Sequence, residues 1–357
     1  MKAIPPIAIT DAKLTSSTIP ELAPAIWGSG TTYIIGDEVS VNGAAGLKSV
    51  YRSLVNDNTN NSPASNPSFW QYRGDVYQEY SGAITYGLGD IAQNSTTHLV
   101  YESLAAGNIG NALTDTAKWL ELGYTNKWAM FDLLRSSKSV TPINQTVVLN
   151  VGQRVDSIAL LGLDATEVLI QVSDGLSTIY SSTINLNTRN SKGWYSYFFG
   201  AFSKKTSAIK LDLPPLSVAT ITVTISNTQG SVKSGAIVVG KYVYIGDVQQ
   251  GAENDVLNFS TVTRDFAGGV NVMIQRRNVP KVVCNLLLHN NYVNNVIAFR
   301  DSQKDNNGNA APAVWSGIED TSHPLFQSLV ILGFYRRFSI NAAYFEHSII
   351  SLELEEI

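Results

Sequence analysis

The sequence predicts a mainly β protein with two small tandem β-modules, a β-sandwich of jelly-roll type and a C-terminal α+β domain. Three observations lead to this prediction. Short segments rich in β-branched residues alternate apolar and polar side chains between turn residues, a pattern typical of strands. A unit of about 50 residues occurs twice in the first third of the chain. One segment near the C-terminus has the apolar spacing of a helix.

Composition limits the kind of partner. The chain has 357 residues, enough for two or three domains with separate cores. Charged residues make up only 15% of it, whereas an average globular chain has roughly 25%. A net charge of −4 without a Lys/Arg cluster argues against nucleic acid as a partner, because phosphates would have to be neutralised. A polar, nearly neutral surface suits sugars or other subunits.

Cysteine usage and the N-terminus bear on location. Cys284 is the single cysteine, and its apolar neighbours predict a small buried side chain rather than a nucleophile. Residues Met1–Pro6 lack the features of a signal peptide, and no apolar run reaches the roughly 20 residues needed to span a bilayer. We therefore expect synthesis in a cytoplasm, no membrane insertion and no delivery by the secretory pathway.

An internal repeat is the most informative feature of the sequence. In both copies an aromatic residue lies six positions before a Tyr-x-x-Gly-Asp element. A Tyr-x-Ser-Leu segment is then followed at equal distance by Asn-x-x-Asn, and Trp-x-x-x-Gly closes the unit. The first copy contains Trp27, Tyr33, Gly36, Asp37, Tyr51, Ser53, Leu54, Asn58, Asn61, Trp70 and Gly74. The second contains Tyr80, Tyr86, Gly89, Asp90, Tyr101, Ser103, Leu104, Asn108, Asn111, Trp119 and Gly123.

The repeat resembles the small chitin- and cellulose-binding modules of bacterial chitinases. The resemblance rests on the Trp, the Tyr-x-x-Gly-Asp-x-Val element, the Tyr-x-Ser strand, the Asn-rich loop with Pro63 and the closing Phe69-Trp70 pair. It covers residues 25–74 well and 78–123 less well, because the second copy lacks the proline and has Lys118 before its Trp. The resemblance implies compact β-structures that bind polysaccharide through exposed rings.

The aromatic residues of the repeat divide into core and ligand candidates. A unit this small needs aromatic side chains in its core, since each buries about 150–250 Å². We expect most of those in the early strands to be core residues: Trp27, Tyr33, Tyr51, Tyr86 and Tyr101. The candidate carbohydrate-binding residues are Trp27, Phe69, Trp70, Tyr72 and Trp119. The alternative is that both modules are spacers without a ligand.

The middle of the chain predicts a connector (125–140) and the β-sandwich domain (141–248). In the connector, Trp128, Met130 and Phe131 are expected to dock onto the next domain. Thr220–Ser226 alternates strictly, as in a half-buried strand. The aromatic segment Gly193–Gly200 is predicted as a strand that is covered by another layer or subunit, with a sugar platform as the alternative. The sequence character of residues 141–248 is similar to that of galactose-binding-like domains.

Residues 249–357 predict the α+β domain. Residues 290–304 have the spacing of a helix, and Ser348–Glu355 is predicted as a strand with Ile350, Leu352 and Leu354 facing inwards. The turn Asp305–Asn309 lacks the acidic ligands of a calcium loop, so no metal is expected there.

Residues 127–357 resemble tail proteins of long-tailed bacteriophages. The resemblance rests on Asn126–Asp132, Ser234–Gly240 and Gly333–Tyr335. It implies a virion component near the tail tip or baseplate, assembled in the host cytoplasm as a homo-oligomer with other tail proteins. Host surface polysaccharide is then the expected ligand of the modules (25–74 and 75–124), and residues 1–24 are expected to form an N-terminal arm.

An enzyme is the less favoured alternative. The four histidines are not in metal-ligand spacing, and no nucleophile elbow, P-loop or dinucleotide fingerprint occurs. A polysaccharide depolymerase would need two carboxylates facing a cleft, and Asp247 or Glu253 could be paired with almost any other acid. We therefore expect a non-enzymatic protein without cofactor or metal, either adsorbing glycans or purely architectural.

Overall fold

The computed structural model describes residues 1–188, 193–200, 203–216, 219–264, 270–304 and 310–357. It confirms the mainly β fold, because most regular structure within these ranges is strand. The helices there are Trp194–Phe199 and Val293–Ser302, with 3₁₀ turns at Pro63–Ser65, Ala129–Phe131, Asn290–Tyr292 and Gln327–Leu329. None of these helices is long and apolar enough to cross a membrane.

Module 1 (25–74) and module 2 (75–124) share one six-stranded sheet, whose strands follow chain order. These strands are Glu38–Asn42, Leu47–Ser53, Trp70–Glu79, Ile91–Asn94, Leu99–Ser103 and Trp119–Tyr124. A short pair, Thr32–Tyr33 with Asn58–Thr59, completes module 1. Neighbours are antiparallel except where Gln78 and Glu79 lie parallel to Ala92 and Gln93. Backbone hydrogen bonds therefore join the two modules directly.

The Gly-Asp elements form the same turn in both modules. Gly36 (φ 97°) and Gly89 (φ 83°) adopt the left-handed backbone that favours glycine. The carboxylates of Asp37 and Asp90 each accept a backbone N–H from three residues earlier, at 2.9 and 2.7 Å. The repeat in the sequence is therefore a repeat of structure.

Two sheets face each other across the sandwich core. The first contains, in spatial order, Thr178–Asn185, Glu167–Ser173, Thr220–Ser226, Gln145–Asn150 and Leu14–Ser17. The second contains Ser207–Lys210, Ser157–Leu161 and Ala236–Gly240. Two short pairs flank them: Ser139–Thr141 with Val232–Ser234, and Asn187–Thr188 with Ser203–Lys204. Ile221, Val223 and Ile225 are buried as their alternation predicted.

An eight-stranded C-terminal sheet lies against the outer face of the three-stranded sheet. Its path is Val243–Tyr244, Lys2–Ile4, Ala313–Ser316, Val330–Asn341, His347–Glu356, Asn278–His289 and Asp247–Val248, with Glu253–Asn258 also pairing with Asn278–His289. Val314 and Leu332 point towards the sandwich, whereas Trp315 and Ile331 share a core with the helix Val293–Ser302. The predicted α+β character of this part is confirmed.

Buried positions in this sheet follow the sequence pattern. Ile350, Leu352 and Leu354 are buried, as predicted for the last strand. Cys284 lies beside them in the same core, and burial raises the pKa of its thiol to about 11. The prediction that Cys284 is a small buried side chain is therefore confirmed.

Part of the chain extends beyond this sheet as a two-stranded ribbon, here called the ribbon (253–264 and 270–283). Glu253–Asn258 pairs with Asn278–Val283, and Thr261–Arg264 pairs with Val270–Ile274. Among the described residues, the strands of 256–264 and 270–280 pair only with each other, and Arg277 lies 4.0 Å from Glu356 of the C-terminal sheet. An isolated two-stranded ribbon is marginally stable at best in water, so this element calls for a covering surface.

The N-terminal residues are not a separate arm, which corrects the interpretation of residues 1–24. Lys2–Ile4 lies between Val243–Tyr244 and Ala313–Ser316 in the C-terminal sheet. Leu14–Ser17 forms the edge of the sandwich beside Gln145–Asn150. The same short segment thus ties two sheets together.

The connector and the aromatic segment had different outcomes. Trp128 and Met130 are buried in the sandwich core and Phe131 packs against it, which confirms the docking prediction. The strand predicted for Gly193–Gly200 is wrong, since Trp194–Phe199 is a helix whose described rings are exposed. The predicted turn Asp305–Asn309 lies outside the described residues.

Candidate functional site

Each module is closed by the same chain of hydrogen bonds, here called the polar ladder. In module 1, Asn58 Nδ2 donates to Ser53 Oγ at 3.0 Å, and Asn61 Nδ2 donates to Asn58 Oδ1 at 2.9 Å. Trp70 Nε1 then donates to the Asn61 carbonyl at 2.8 Å. The matching distances of 3.0, 2.8 and 3.2 Å in module 2 join Ser103, Asn108, Asn111 and Trp119. The side-chain amides of these asparagines therefore form hydrogen bonds within the modules.

Trp70 and Trp119 are core residues. Each is only 2% exposed, and each packs edge-on against a tyrosine: Trp70 on Tyr33 at 5.2 Å and Trp119 on Tyr86 at 5.0 Å between ring centroids. Neither indole offers a face to a sugar. The structure therefore corrects the prediction that these two tryptophans bind carbohydrate. The reason is size, because a unit of about 50 residues needs its largest side chains in its core.

The remaining aromatic residues of module 1 differ in exposure. Trp27 and Phe69 are half-buried and pack against the cluster of Tyr33, Val39 and Trp70. The core prediction holds for Tyr33 and Tyr86, which are buried, and Tyr51 and Tyr101 pack partly buried against the same cores. Tyr72 is 37% exposed, and among the five candidates it has the most accessible ring.

Tyr72 belongs to a small group on the module 1 sheet, here called the tyrosine shelf (Ser49, Tyr51, Tyr72 and Asp75). The strand register places Tyr51 opposite Tyr72 and Ser49 opposite Asp75. The two rings lie 5.4 Å apart, and Ser49 Oγ donates to Asp75 Oδ1 at 2.7 Å. Burial, followed by a hydrogen bond to Asp75, raises the pKa of Tyr72 well above its ordinary value. The phenol therefore stays a neutral donor, oriented by Asp75.

Module 2 lacks the shelf. Glu121 occupies the position that Tyr72 has in module 1, and Tyr124 occupies that of Asp75. Its last strand, Trp119–Tyr124, is the free edge of the six-stranded sheet. The duplicated module is thus a natural comparison for the shelf, with the same fold and different exposed chemistry.

A buried carboxylate joins module 2 to the connector. Glu21 is in the N-terminal segment, and its side chain is only 9% exposed. Its oxygens lie 2.7 Å from His98 Nδ1, 3.2 Å from Thr125 Oγ1, 3.2 Å from Lys127 Nζ and 3.1 Å from Trp128 Nε1. We call these five residues the Glu21 cluster. One carboxylate thereby holds three segments of the chain together.

Several features besides the contact with Glu21 fix the position of the His98 side chain. Its backbone is left-handed (φ 60°), its ring stacks on Trp128 at 4.0 Å, and its Nε2 lies 3.2 Å from Asp11 Oδ2. Because Glu21 and Asp11 occupy both ring nitrogens, neither nitrogen faces a hydroxyl or thiol that it could activate. The geometry is that of a structural clamp. No sequence signal pointed to it, since Glu21 and His98 are 77 positions apart.

Two of the clefts in the described part of the chain lie beside module 2 and beside the ribbon. One of about 470 Å³ separates module 2 from the sandwich, and its lining includes Asp11, His98, Tyr124 and Trp128. The other, of about 730 Å³, lies at the base of the ribbon. Its lining includes Met1, Asp247, Glu319 and His323, and Glu319 pairs with Lys2 at 2.9 Å.

The acids considered for catalysis are not brought together in this cleft. Asp247 lines it, whereas Glu253 does not and lies opposite Val283 in the ribbon. Tyr244 donates to Asp247, and burial together with this bond raises the pKa of Tyr244 to about 12. Among the described residues, no group of three or more His, Cys, Asp or Glu side chains could hold a metal ion.

Comparison with known proteins gives no relative. No family model matches this chain, and neither a curated protein nor a solved structure matches it significantly.

Proposed function

We propose that the protein is a non-enzymatic structural component of a phage tail, near its tip or baseplate, and that module 1 adsorbs host surface glycan through the tyrosine shelf. The exposed ring of Tyr72, oriented by Asp75, carries the glycan part of this proposal. A pyranose packs its C–H face on such a ring, and its hydroxyls can reach carboxylate and hydroxyl partners alongside. A tyrosine offers this area at low entropic cost.

The tail assignment is supported by the resemblance of residues 127–357 and by the surface. Few charges and several exposed apolar side chains on strands suit a subunit packed among other tail proteins. A purely architectural virion protein without a ligand is the alternative. It is favoured by the burial of Trp70 and Trp119, which leaves the shelf as a single small platform.

We predict that Tyr72→Ala weakens glycan binding about tenfold, since one aromatic contact contributes roughly 1–1.5 kcal/mol. The variant Tyr72→Glu, which copies module 2, should lose binding to a similar extent. The measurement is a titration with chito-oligosaccharides and with envelope polysaccharides purified from candidate hosts, after an array has identified a binder. Tyr344→Ala, which changes an exposed tyrosine of the C-terminal part, is the matched control.

Each outcome has a clear meaning. Equal affinity of Tyr72→Ala and the unaltered protein would remove the shelf as the site. If the unaltered protein binds no saccharide, the architectural alternative stands. Release of reducing ends from the polysaccharide would instead support the depolymerase.

The tail location is tested separately. An antibody against residues 25–123 should label the tail tip or baseplate when intact phage particles are imaged. Labelling of the head, or none on particles that contain the protein, would contradict the assignment.

A further inference from the structure

The helix Trp194–Phe199 carries an exposed aromatic surface, here called the aromatic face (Trp194, Tyr195, Phe198 and Phe199). These four side chains are 80%, 79%, 64% and 75% exposed, respectively. Together they present an apolar area on the order of 600 Å², at the upper end of the largest patches on typical monomers. Patches of this size mark contacts with proteins or membranes, so the aromatic face calls for a partner.

The aromatic face is single-sided. Because an α-helix turns by about 100° per residue, positions 194, 195, 198 and 199 fall within roughly 140° of its circumference. The ring of Trp194 stacks on that of Phe198, and the ring of Tyr195 lies against that of Phe199. A helix with one broad apolar stripe fits a flat surface rather than a socket that encloses it.

Positive charge lies at the base of this helix. The two ends of the segment that contains the helix meet where Asn187–Thr188 pairs with Ser203–Lys204. Lys204 follows Phe199 by five positions, so at most about 18 Å of chain separates this lysine from the aromatic face. A surface that contacts the rings is therefore within reach of the charge at the base.

The lysines at the base outnumber the carboxylate that they share. Asp164 Oδ1 lies 3.0 Å from Lys204 Nζ, and Asp164 Oδ2 lies 3.8 Å from Lys233 Nζ. The hydrogen bond from Lys204, together with the charges of Lys233 and Lys138, lowers the pKa of Asp164. In the sequence, residues 175–211 contain no Asp or Glu. Three ammonium groups thus act on one carboxylate, which leaves a positive surplus beside the aromatic face.

We infer that the aromatic face docks on the headgroup region of a lipid bilayer that contains anionic lipid. Trp and Tyr prefer this region because their rings are apolar while their N–H and O–H groups are polar. Lysines close to such rings add attraction to anionic headgroups. A protein is the other class of partner for exposed rings, but a flat, single-sided face with surplus positive charge fits a lipid surface better.

The contact is peripheral and does not cross the membrane. A helix of six residues is only about 9 Å long, whereas the hydrocarbon core is about 30 Å thick. The net charge of the whole chain is −4, so an anionic surface attracts the base of the helix and repels acidic parts of the chain. This contrast orients the protein on the membrane. The inference depends neither on glycan binding nor on the tail location.

The first test is binding of the full chain to vesicles, measured by flotation at about 1 mM lipid, a concentration suited to a weak peripheral anchor. Vesicles of phosphatidylcholine mixed with phosphatidylglycerol should bind the protein about tenfold more tightly than vesicles of phosphatidylcholine alone. The double variant Trp194→Ser, Tyr195→Ser should lose about tenfold or more in affinity for the anionic vesicles, because two rings leave the contact. Both side chains are exposed, so the fold should be kept, and circular dichroism checks this.

The matched control is the double variant Tyr344→Ser, Phe345→Ser. It changes another pair of neighbouring exposed rings, 61% and 99% accessible, which is followed by the acidic Glu346. This variant should bind the anionic vesicles as the unaltered protein does.

Trp194 also provides a direct signal of the contact. It is the most exposed of the six tryptophans, and Trp70, Trp119, Trp128 and Trp315 are at most 3% exposed. Tryptophan emission should shift to the blue when anionic vesicles bind, and brominated lipid should quench it. Trp194→Phe keeps an aromatic ring, so it should still bind while losing most of the shift.

Neutralising lysines at the base tests the electrostatic part. The double variant Lys138→Gln, Lys233→Gln should weaken binding to the anionic vesicles about tenfold. The control Lys48→Gln, Lys118→Gln changes two lysines of the modules and should bind normally. Raising NaCl from about 0.1 to 0.5 M should weaken binding of the unaltered protein severalfold, because salt screens the attraction.

Failure of the unaltered protein to bind the anionic vesicles would overturn the inference. Undiminished binding by Trp194→Ser, Tyr195→Ser, or an equal loss in Tyr344→Ser, Phe345→Ser, would do the same. Equal binding to both kinds of vesicle, insensitive to salt, would overturn the assignment of anionic lipid. Self-association that Trp194→Ser, Tyr195→Ser abolishes, without any vesicle binding, would assign the aromatic face to a second copy instead.

Discussion

Replacing Trp70 with alanine is expected to unfold module 1 and to loosen the neighbouring strands of module 2, which share its sheet, while the sandwich and the C-terminal sheet stay folded. The substitution removes the largest buried side chain of a small core, which typically costs about 3–5 kcal/mol. It also leaves the Asn61 carbonyl without the indole donor that closes the polar ladder. Hydrogen exchange and limited proteolysis should report the largest new exposure within residues 25–79, because proteins can open locally in cooperative units.

Two comparisons make this result specific. Tyr72→Ala, at the exposed shelf, should leave the stability of module 1 unchanged within about 0.5 kcal/mol. Trp119→Ala should unfold module 2 in the same manner, because its ladder is the same. Unchanged protection of module 1 in Trp70→Ala would show that the ladder and the indole are not what hold it together. Loss of glycan binding in Trp70→Ala would report unfolding rather than a lost contact.

Glu21→Ala is expected to loosen module 2 from the sandwich. Removing one partner from a buried ion pair typically costs about 3–5 kcal/mol, because the other charge is left unpaired. Here the Lys127 ammonium, the Trp128 indole N–H and His98 all lose the same carboxylate. Thermal unfolding should therefore begin at a lower temperature, with early exposure of the connector 125–140.

Two other substitutions, each with a smaller expected effect, serve as controls for this prediction. Glu21→Gln keeps an acceptor oxygen for some donors and should fall between the unaltered protein and Glu21→Ala. Asp11→Ala removes the other contact of His98, but the Asp11 side chain is 72% exposed, so its cost should stay below about 1 kcal/mol. Equal effects of Asp11→Ala and Glu21→Ala would contradict the central role of the buried carboxylate.

Elements with a clear period could be predicted from the sequence. Strands such as Thr220–Ser226 and Ser348–Glu355 alternate apolar and polar residues, and their buried positions are those expected. The repeat was visible because turns and closing tryptophans recur at near-identical spacing. Local rules decide these features, so no knowledge of distant contacts was needed.

The aromatic segment Gly193–Gly200 shows where such rules fail. Six consecutive residues that are almost all aromatic contain no polar–apolar period. Their pattern therefore fits a strand and a helix equally well. In the helix, the ring of Trp194 stacks on that of Phe198 and the ring of Tyr195 lies tilted against that of Phe199, with centroids 6.3 and 5.2 Å apart. These pairs are four positions apart, the spacing that places side chains together on a helix.

The candidate site could be predicted only in part. Which aromatic ring is exposed depends on the polar ladder. That ladder forms only when the Asn-rich loop of a module folds back onto the module's closing strand. Trp70 and Tyr72 are two positions apart, yet one is enclosed and the other open. The Glu21 cluster depends on the path of the N-terminal segment, which no local pattern encodes.

The pairing of the N-terminal segment with strands from much later in the chain has a consequence for biosynthesis. The strand Lys2–Ile4 leaves the ribosome before its neighbour Ala313–Ser316, which is translated roughly 15–60 s later at ordinary elongation rates. During this interval the strand has no partner on that side, and the sheet it completes does not yet exist. The C-terminal sheet can therefore be completed only after residues 313–356 have been synthesised. This pairing is non-local and slow, and unpaired strand edges are open to aggregation until it is complete.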